Sequence, residues 1–316
     1  MMSNISMKVA GIDTGKEKLD IALVGCQDHA VFANDEAGHA LLVDWLCERG
    51  VVRIGIEASG GYERKVIARL RAQGFVVIHM QPAQVRAYAH FLGLHAKNDR
   101  IDAGLIAACA AARQSVADAP DPRYAALCEH LTLIEQIEED IVRFKTRKEA
   151  VHDHARKERL VQEIDRLKAW RLAELRSLTA AIKAFPDMAQ RLALIESVQG
   201  IGPRTALALA LRAPELGSIS RQAAAALAGL APYDNDSGTR SGTRRIAGGR
   251  KRLRKSLYAA ALPAAFQHNP KLIDLYQRLV AKGKPHKLAL VACARKLIIY
   301  VNSVLERGTP WVKIQT

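Results

Sequence analysis

Apolar, β-type runs occupy Lys8–Ile12 and Leu19–Val24, separated by a polar turn over Asp13–Lys18, and they predict two neighbouring strands. A third strand is predicted around Val31–Asn34. The apolar spacing then changes to three and four residues, and Leu41, Leu42, Trp45 and Leu46 predict a helix over Gly38–Arg49. Val51–Glu57 is a short apolar run that ends in an acid. Gly60 and Gly61 break the chain before a helix over Tyr62–Gln73 and a strand over Phe75–Met80. Two strands joined by a short turn, then strands alternating with helices, predict an α/β domain on a mixed sheet.

Pro120 and Pro122 mark a boundary, beyond which the pattern is helical. Leu127, Leu131, Ile134, Ile137 and Ile141 recur at three and four among many charges. The stretch to about Phe185 reads as one or two long helices, a coiled-coil spacer or oligomerisation element. His152, Asp153 and His154 fall within it, and as neighbours on a helix they would point to different faces, which argues against a metal site. Phe185 and Pro186 end this part, and a Gly- and Ala-rich, mainly α-helical region follows. There, Ser197–Ala206 places Gly200 and Gly202 before a helix. This is either a helix-hairpin-helix whose backbone amides hold a nucleic-acid phosphate, or an αα-corner that needs glycine for close packing. Three domains are expected: 1–120, 121–190 and 191–316.

Charge adds a partner to this outline. Residues 1–120 and 121–190 each carry 13 basic and 13 acidic side chains, whereas 191–316 carry 21 against 6. An excess confined to one third of the chain indicates a surface for a polyanion, and nucleic acid fits it. The five cysteines, Cys26, Cys47, Cys109, Cys128 and Cys293, include no CxxC, which argues against a zinc ribbon or a disulfide framework. No apolar run approaches the roughly 18 residues of a membrane helix, and the first residues do not read as a secretory signal. A cytoplasmic protein with no membrane partner is expected.

Two constellations carry the candidate chemistry. Asp13 and Glu57 each end a predicted strand, and Gly11 and Gly15 would let a metal-bound phosphate approach the backbone beside Asp13. Asp99 and Asp102, spaced i and i+3, share a face if helical. Two strand-end acids and a helical pair suit a two-metal phosphodiester site, because hard Mg²⁺ ions take oxygen ligands. The second constellation is basic. Arg240, Arg244, Arg245, Arg250, Lys251, Arg252, Arg254 and Lys255 follow one another with no acid between them. Nearby glycines, Gly229, Gly248 and Gly249 among them, allow close approach to a ligand, and the cations suit phosphates. Leu253, Leu257 and Tyr258 are expected to pack inward.

The acid set, the stretch Ala-Pro-Tyr-Asp-Asn-Asp-Ser-Gly, the motif Arg-Ile-Ala-Gly-Gly-Arg and the run Gly283–Leu297 together resemble the DEDD transposases of the IS110 family of bacterial insertion sequences. The resemblance extends from the first strand to the last helix. It implies a RuvC-like (RNase H-fold) domain, a coiled coil and a C-terminal transposase domain bearing a serine. It further implies site-specific recombination of donor and target DNA specified by an element-encoded RNA. A homo-oligomer, dimer or tetramer, that meets the nucleoid while it acts is expected, and exchange between two duplexes favours four protomers. The family's serine occupies the Ser-Gly position that Ser237-Gly238 matches, which makes Ser237 the implied nucleophile; Ser241-Gly242, four residues on, is the alternative.

Other readings predict other outcomes. A plain RuvC-like junction nuclease would need the four acids but no serine. A non-catalytic nucleic-acid scaffold would tolerate alanine at every acid. An actin-like or sugar kinase shares the strand-end acid but leaves the basic stretch without a role.

Overall fold

The structure is a computed structural model that describes residues 8–25, 28–94, 99–113, 121–234, 242 and 244–312, with the side chains of 99–101 excepted. The chain divides into two compact units, Met1–Pro120 and Asp121–Thr316.

The first unit holds five strands, β1 (Lys8–Thr14), β2 (Lys18–Leu23), β3 (His29–Ala33), β4 (Val51–Glu57) and β5 (Val76–Met80), in the sheet order β3-β2-β1-β4-β5. β1, β2 and β3 are antiparallel neighbours, while β1–β4 and β4–β5 are parallel. The sheet is therefore mixed, as the pattern predicts. Parallel strands need crossovers; α1 and α2 lie in these connections on one face of the sheet, and α3 and α4, which follow the last strand, cover the other. α1 (Glu36–Glu48) and α2 (Arg64–Ala72) pack Leu42, Leu46, Val66 and Leu70 on Ile12, Ile21, Ile54 and Ile56. The other face carries α3 (Pro82–Phe91) and α4 (Asp99–Ala111), whose Val85, Ile106, Cys109 and Ala110 meet Val9, Ile78 and Met80. α3 adds to the predicted elements, and Pro82 at its first position is the local signal for it.

α4 seats itself on two glycines. Gly11 of β1 and Gly55 of β4 stand side by side in the parallel ladder. A β-carbon on Gly11 would collide with the Ala103 carbonyl oxygen and the Ala107 amide nitrogen of α4, and one on Gly55 would lie 2.7 Å from the Ala110 β-carbon. This corrects the reading of Gly11 as a place for phosphate to approach, because a helix already fills that space. Gly15 instead closes the β1–β2 turn, its amide donating to the Lys18 carbonyl at 2.9 Å.

The second unit is almost wholly helical. α5 (Arg123–Ala150) and α6 (His154–Lys183) form a long hairpin, followed by α7 (Pro186–Glu196), α8 (Pro203–Arg212) and α9 (Arg221–Leu227). A two-stranded ladder of β6 (Pro232–Tyr233) and β7 (Arg245–Ile246) precedes α10 (Lys251–Pro263), a π-helical turn (Ala264–His268), α11 (Pro270–Ala281) and α12 (His286–Arg307). The base of the hairpin (Leu127, Leu131, Ile134, Leu178, Ile182) shares one core with α7 to α12, while between Ile141 and Ile164 no residue is buried.

Two expectations change here. His152 and Asp153 lie in the hairpin's turn and His154 begins α6: α5 stops at Ala150, and the Asp153 carboxylate caps α6 by accepting the Arg156 amide at 2.8 Å. α12 is long and apolar enough by length and composition to cross a membrane, although the apolar runs alone predict no such segment; 50% of its apolar window is buried. Leu290, Ala294, Leu297, Ile298 and Val301 lie at the centre of the helical core, so its hydropathy has a structural cause.

The glycine seat is testable. Gly11→Ala should destabilise the first unit by about 1–3 kcal/mol, the usual cost of overpacking, as read from urea unfolding, because the new methyl meets helix backbone that has no rotamer to yield. Gly15→Ala, whose β-carbon would meet nothing closer than 3.2 Å, should cost less.

Candidate functional site

The four acids belong to the first unit. Asp13 lies near the end of β1 and Glu57 ends β4; beyond the last ladder pair, Ile12 with Ile56, they continue the same register on adjacent strands. Side chains alternate along a strand, so Asp13 shares its face with Val9 and Gly11, the face that α4 covers. Asp102 immediately precedes Ala103, whose carbonyl abuts Gly11. The glycine seat therefore brings the helical acid to the strand face that carries Asp13 and Glu57. All three are half-buried. Asp99 begins α4, and its carboxylate lies outside the described side chains. Among the described residues, no group of three His, Cys, Asp or Glu side chains is arranged to hold a metal ion.

The loops that leave these strands are cross-braced. Asn34 donates through Nδ2 to the carbonyls of Gly15 at 2.8 Å and Tyr62 at 3.2 Å, joining the turn after Asp13 to the loop after Glu57. Its Oδ1 lies 2.7 Å from Nε2 of His39. Burial pushes His39 below the ordinary histidine value, so the neutral ring donates here. Within the second loop, the buried Glu63 carboxylate accepts from the amides of Ser59 and Gly61 at 3.1 and 2.8 Å and from the Ser59 hydroxyl at 3.1 Å. Burial alone would raise Glu63, but these hydrogen bonds prevail and hold it below the usual carboxylate range.

Sequence reasoning passed over Asp20. It pairs with Asp13 across the β1–β2 hairpin, is buried, and lies 3.0 Å from the Lys18 ammonium. An acid inside an otherwise apolar strand was the available signal, and its strand partner is what gives it meaning.

The basic stretch belongs to the second unit, where much of its charge is engaged internally. Arg250 grips Glu215 with both terminal nitrogens and reaches the Arg212 carbonyl. Partial burial alone would raise Glu215, yet Arg250 holds it below the usual value. Arg254 donates to the carbonyls of Gly229 and Gly248, both at 3.1 Å. Arg252 pairs with Glu135, and Arg244 pairs with Asp234. Lys255 stands 3.6 Å from Glu139, with both side chains largely exposed. Arg245 and Lys251 are exposed. Leu253 and Leu257 are fully buried and Tyr258 packs on the core, as expected.

Two of the three glycines of this stretch also have internal occupants, while a β-carbon on Gly248 would meet open space. A β-carbon on Gly249 would strike the backbone of Gly229, and one on Gly229 would strike the Gly248 carbonyl; both glycines have left-handed φ, 65°. Close approach is between two segments of this chain, which corrects the reading of these glycines as a ligand surface. Gly200, at φ 95°, likewise packs on Ala264, while Gly202 caps α8. Ser237, Ser241 and Arg240 lie outside the described residues; the β6–β7 ladder joins the chain on either side of them, pairing Tyr233 with Arg245.

Glu135 of α5, 9% exposed, is the hub of this unit's polar contacts. It meets Arg212 at 2.8 Å, Arg204 at 3.3 Å and Arg252, and Arg204 also bridges to Glu138 at 3.1 Å. The hairpin, α8 and α10 are thereby locked together.

Comparison with known proteins decides the family. Residues 10–155 match the sequence profile of a DEDD transposase of the IS110 type, and residues 192–277 match that of the transposase IS116/IS110/IS902 family. This chain belongs to the IS110 family of transposases. These are enzymes that recombine DNA. The transposase is 26% identical to the pilin gene-inverting proteins of Moraxella bovis and Moraxella lacunata, over 98% of its own length and 99% of theirs. It is 32% identical over 136 residues, 42% of its length, to an uncharacterised 43.6 kDa protein of insertion element IS110 from Streptomyces coelicolor, of which the match covers 33%. The four acids fall within the first match, and the basic stretch with Ser237 falls within the second.

The Glu135 hub makes a prediction about the transposase. Removing one partner of a buried ion pair costs about 3–5 kcal/mol, and the arginines here are partly exposed, so Glu135→Ala should lose about 2–3 kcal/mol in thermal or urea unfolding. Glu139→Ala, whose pair with Lys255 is exposed, should change stability by less than about 1 kcal/mol.

Proposed function

We propose that this transposase cuts and rejoins DNA through a covalent seryl–DNA intermediate formed by Ser237, with Asp13, Glu57, Asp99 and Asp102 as the ligands of Mg²⁺. The observation that carries the acid half is the seating of α4 on Gly11 and Gly55, which puts Asp102 on the strand face of Asp13 and Glu57. The donor set is all carboxylate, which fits a hard divalent ion. Bound there, two Mg²⁺ ions would neutralise the charge of a phosphodiester and polarise its oxygens. The protein's own part is to hold two carboxylates at strand ends, whose loops Asn34 and Glu63 brace, and two on the first turns of α4.

In the transfer step, the Ser237 oxygen bonds to phosphorus as one phosphorus–oxygen bond of the DNA breaks, and the serine proton passes to the departing oxygen, which leaves as a free DNA hydroxyl. A free DNA hydroxyl then attacks the seryl ester, restoring the serine and joining the new strand. One ester is exchanged for another, so the reaction needs no outside energy source. Cations must balance the phosphate charge, and the basic stretch from Arg240 to Lys255 flanks Ser237 in sequence. The reading also takes the first unit as RuvC-like, residues 121–190 as a coiled-coil spacer within a dimer or tetramer, and an element-encoded RNA as the guide to donor and target. Gly200 and Gly202 remain proposed backbone contacts for phosphate. The pilin gene-inverting relatives favour site-specific exchange over simple cutting.

A denaturing gel of protein incubated with cognate DNA, guide RNA and Mg²⁺ tests the intermediate. Wild type should give a covalent protein–DNA band, Ser237→Ala none, and Ser241→Ala an unchanged one. The reverse pattern transfers the role to Ser241, and nicked DNA with no covalent species in the wild type establishes a metal-dependent nuclease instead. Asp13→Asn should remove both nicking and the band; an unaffected band would separate the acids from the reaction.

The internal pairs refine which cations can hold phosphates. Neutralising Arg245, Lys251 and Lys255 together should flatten the salt dependence of duplex binding by about 0.9 per lost contact without lowering the melting temperature. Arg252→Ala and Arg254→Ala should instead lower the melting temperature, since each breaks contacts that hold α10.

A further inference from the structure

At one end of the second unit, three aromatic rings gather where nothing in the proposed reaction uses them. Phe266 projects from the π-helical turn and is 50% exposed. Its ring centroid lies 4.8 Å from that of Tyr276 on α11, at 63°, and 6.3 Å from the His286 imidazole at the start of α12, at 26°. Tyr276 and His286 are 5.6 Å apart, edge to face, and the Tyr276 hydroxyl hydrogen-bonds His286 Nδ1 at 2.6 Å. That bond fixes two of the rings, so the third is presented on a rigid base. The π-helical turn is itself a costly departure from α-geometry of the kind that accompanies functional sites, and it is what carries Phe266.

Charge surrounds the cluster. The segment joining α11 to α12 reads Lys282-Gly-Lys284-Pro-His286-Lys287, contains no acid, and is exposed throughout. A free aromatic face next to a row of lysines is the pairing that single strands exploit. Unpaired bases stack on the ring while ammonium groups take the phosphates, and a duplex, its bases already stacked, gains only from the charges. A protein partner would match the exposed ring but not three lysines with no acid between them.

We propose that Phe266, supported by Tyr276 and His286 and flanked by Lys282, Lys284 and Lys287, binds an unpaired DNA strand, Phe266 stacking on a base and the lysines holding the adjoining phosphates. The inference rests on the DNA-recombining reading only for the identity of the nucleic acid. It supplies that reading with a holder for the strand that is unpaired while two duplexes exchange.

Fluorescence anisotropy of the full chain with labelled oligo-thymidine and with a duplex of equal length tests it. Phe266→Ala should weaken oligo-thymidine binding about 5- to 150-fold, the range for loss of one base–aromatic stack, leave duplex affinity unchanged, and be rescued by Phe266→Trp. Replacing Lys282, Lys284 and Lys287 with glutamine should flatten the salt slope for the single strand by about 0.7 per lost contact. Because Phe266 is exposed, an unchanged melting temperature accompanies the expected result. Equal oligo-thymidine affinity of Phe266→Ala and wild type overturns the proposal. So does loss confined to oligo-uridine, or a changed sedimentation coefficient without a change in DNA affinity, which would make the patch an RNA site or a contact between copies of the chain. A covalent band in the wild type alongside unaffected Phe266→Ala binding would sink this inference and leave the serine mechanism standing; Phe266-dependent binding without any band would do the reverse.

Discussion

The first unit depends on a helix lying directly on backbone. Interiors are close-packed, and a helix normally rides on the side chains of a sheet at a spacing those side chains set. Gly11 and Gly55, paired in register, remove two side chains at one point, and α4 settles onto the strands there. This close approach brings the first turns of α4, with Asp102 beside Ala103, onto the strand face that carries Asp13 and Glu57. A methyl group at either glycine would lift the helix and, with it, the helical acid. Conformational strain is not the issue, because neither glycine has a left-handed φ; what matters is space.

The second unit is held by apolar packing around α12 and by ion pairs that surround Glu135. Three arginines on two carboxylates, Glu135 and Glu138, leave net positive charge, which only a solvent-facing or polyanion-facing location tolerates cheaply. The same arrangement keeps α10 in place, with Arg252 and Arg254 both spent on structure. Basic residues in this segment therefore divide into those that build the surface and those that remain on it. A charge count cannot separate the two, and neutralising mutations that ignore the division would confuse unfolding with lost binding.

A protein that acts on a polyanion must keep cations exposed and yet keep them from being neutralised by its own acids. In this chain the acids and the excess of cations lie in different compact units. The first unit balances its charges internally, through contacts such as Lys18 with Asp20, while the second carries the surplus.

Five strands, the helices α1 and α2, the break near residue 120 and the inward face of α10 were legible from the amino-acid order, because each follows from a local period of apolar residues or from a proline. The four acids and the basic stretch could be picked out too, since strand ends and unbroken charge runs are local features. The sheet order and the side of the sheet on which α4 lies were not legible: both depend on pairing between residues more than forty positions apart. The glycines show the limit best. Gly11, Gly229 and Gly249 announced a close approach, but the sequence could not say to what, and folding placed other parts of the same chain there. Asp20 gains its meaning from its hairpin partner Asp13, Phe266 from rings on two following helices, and Glu135 from arginines on α8 and α10, so only the folded structure, which fixes those distances, could single them out.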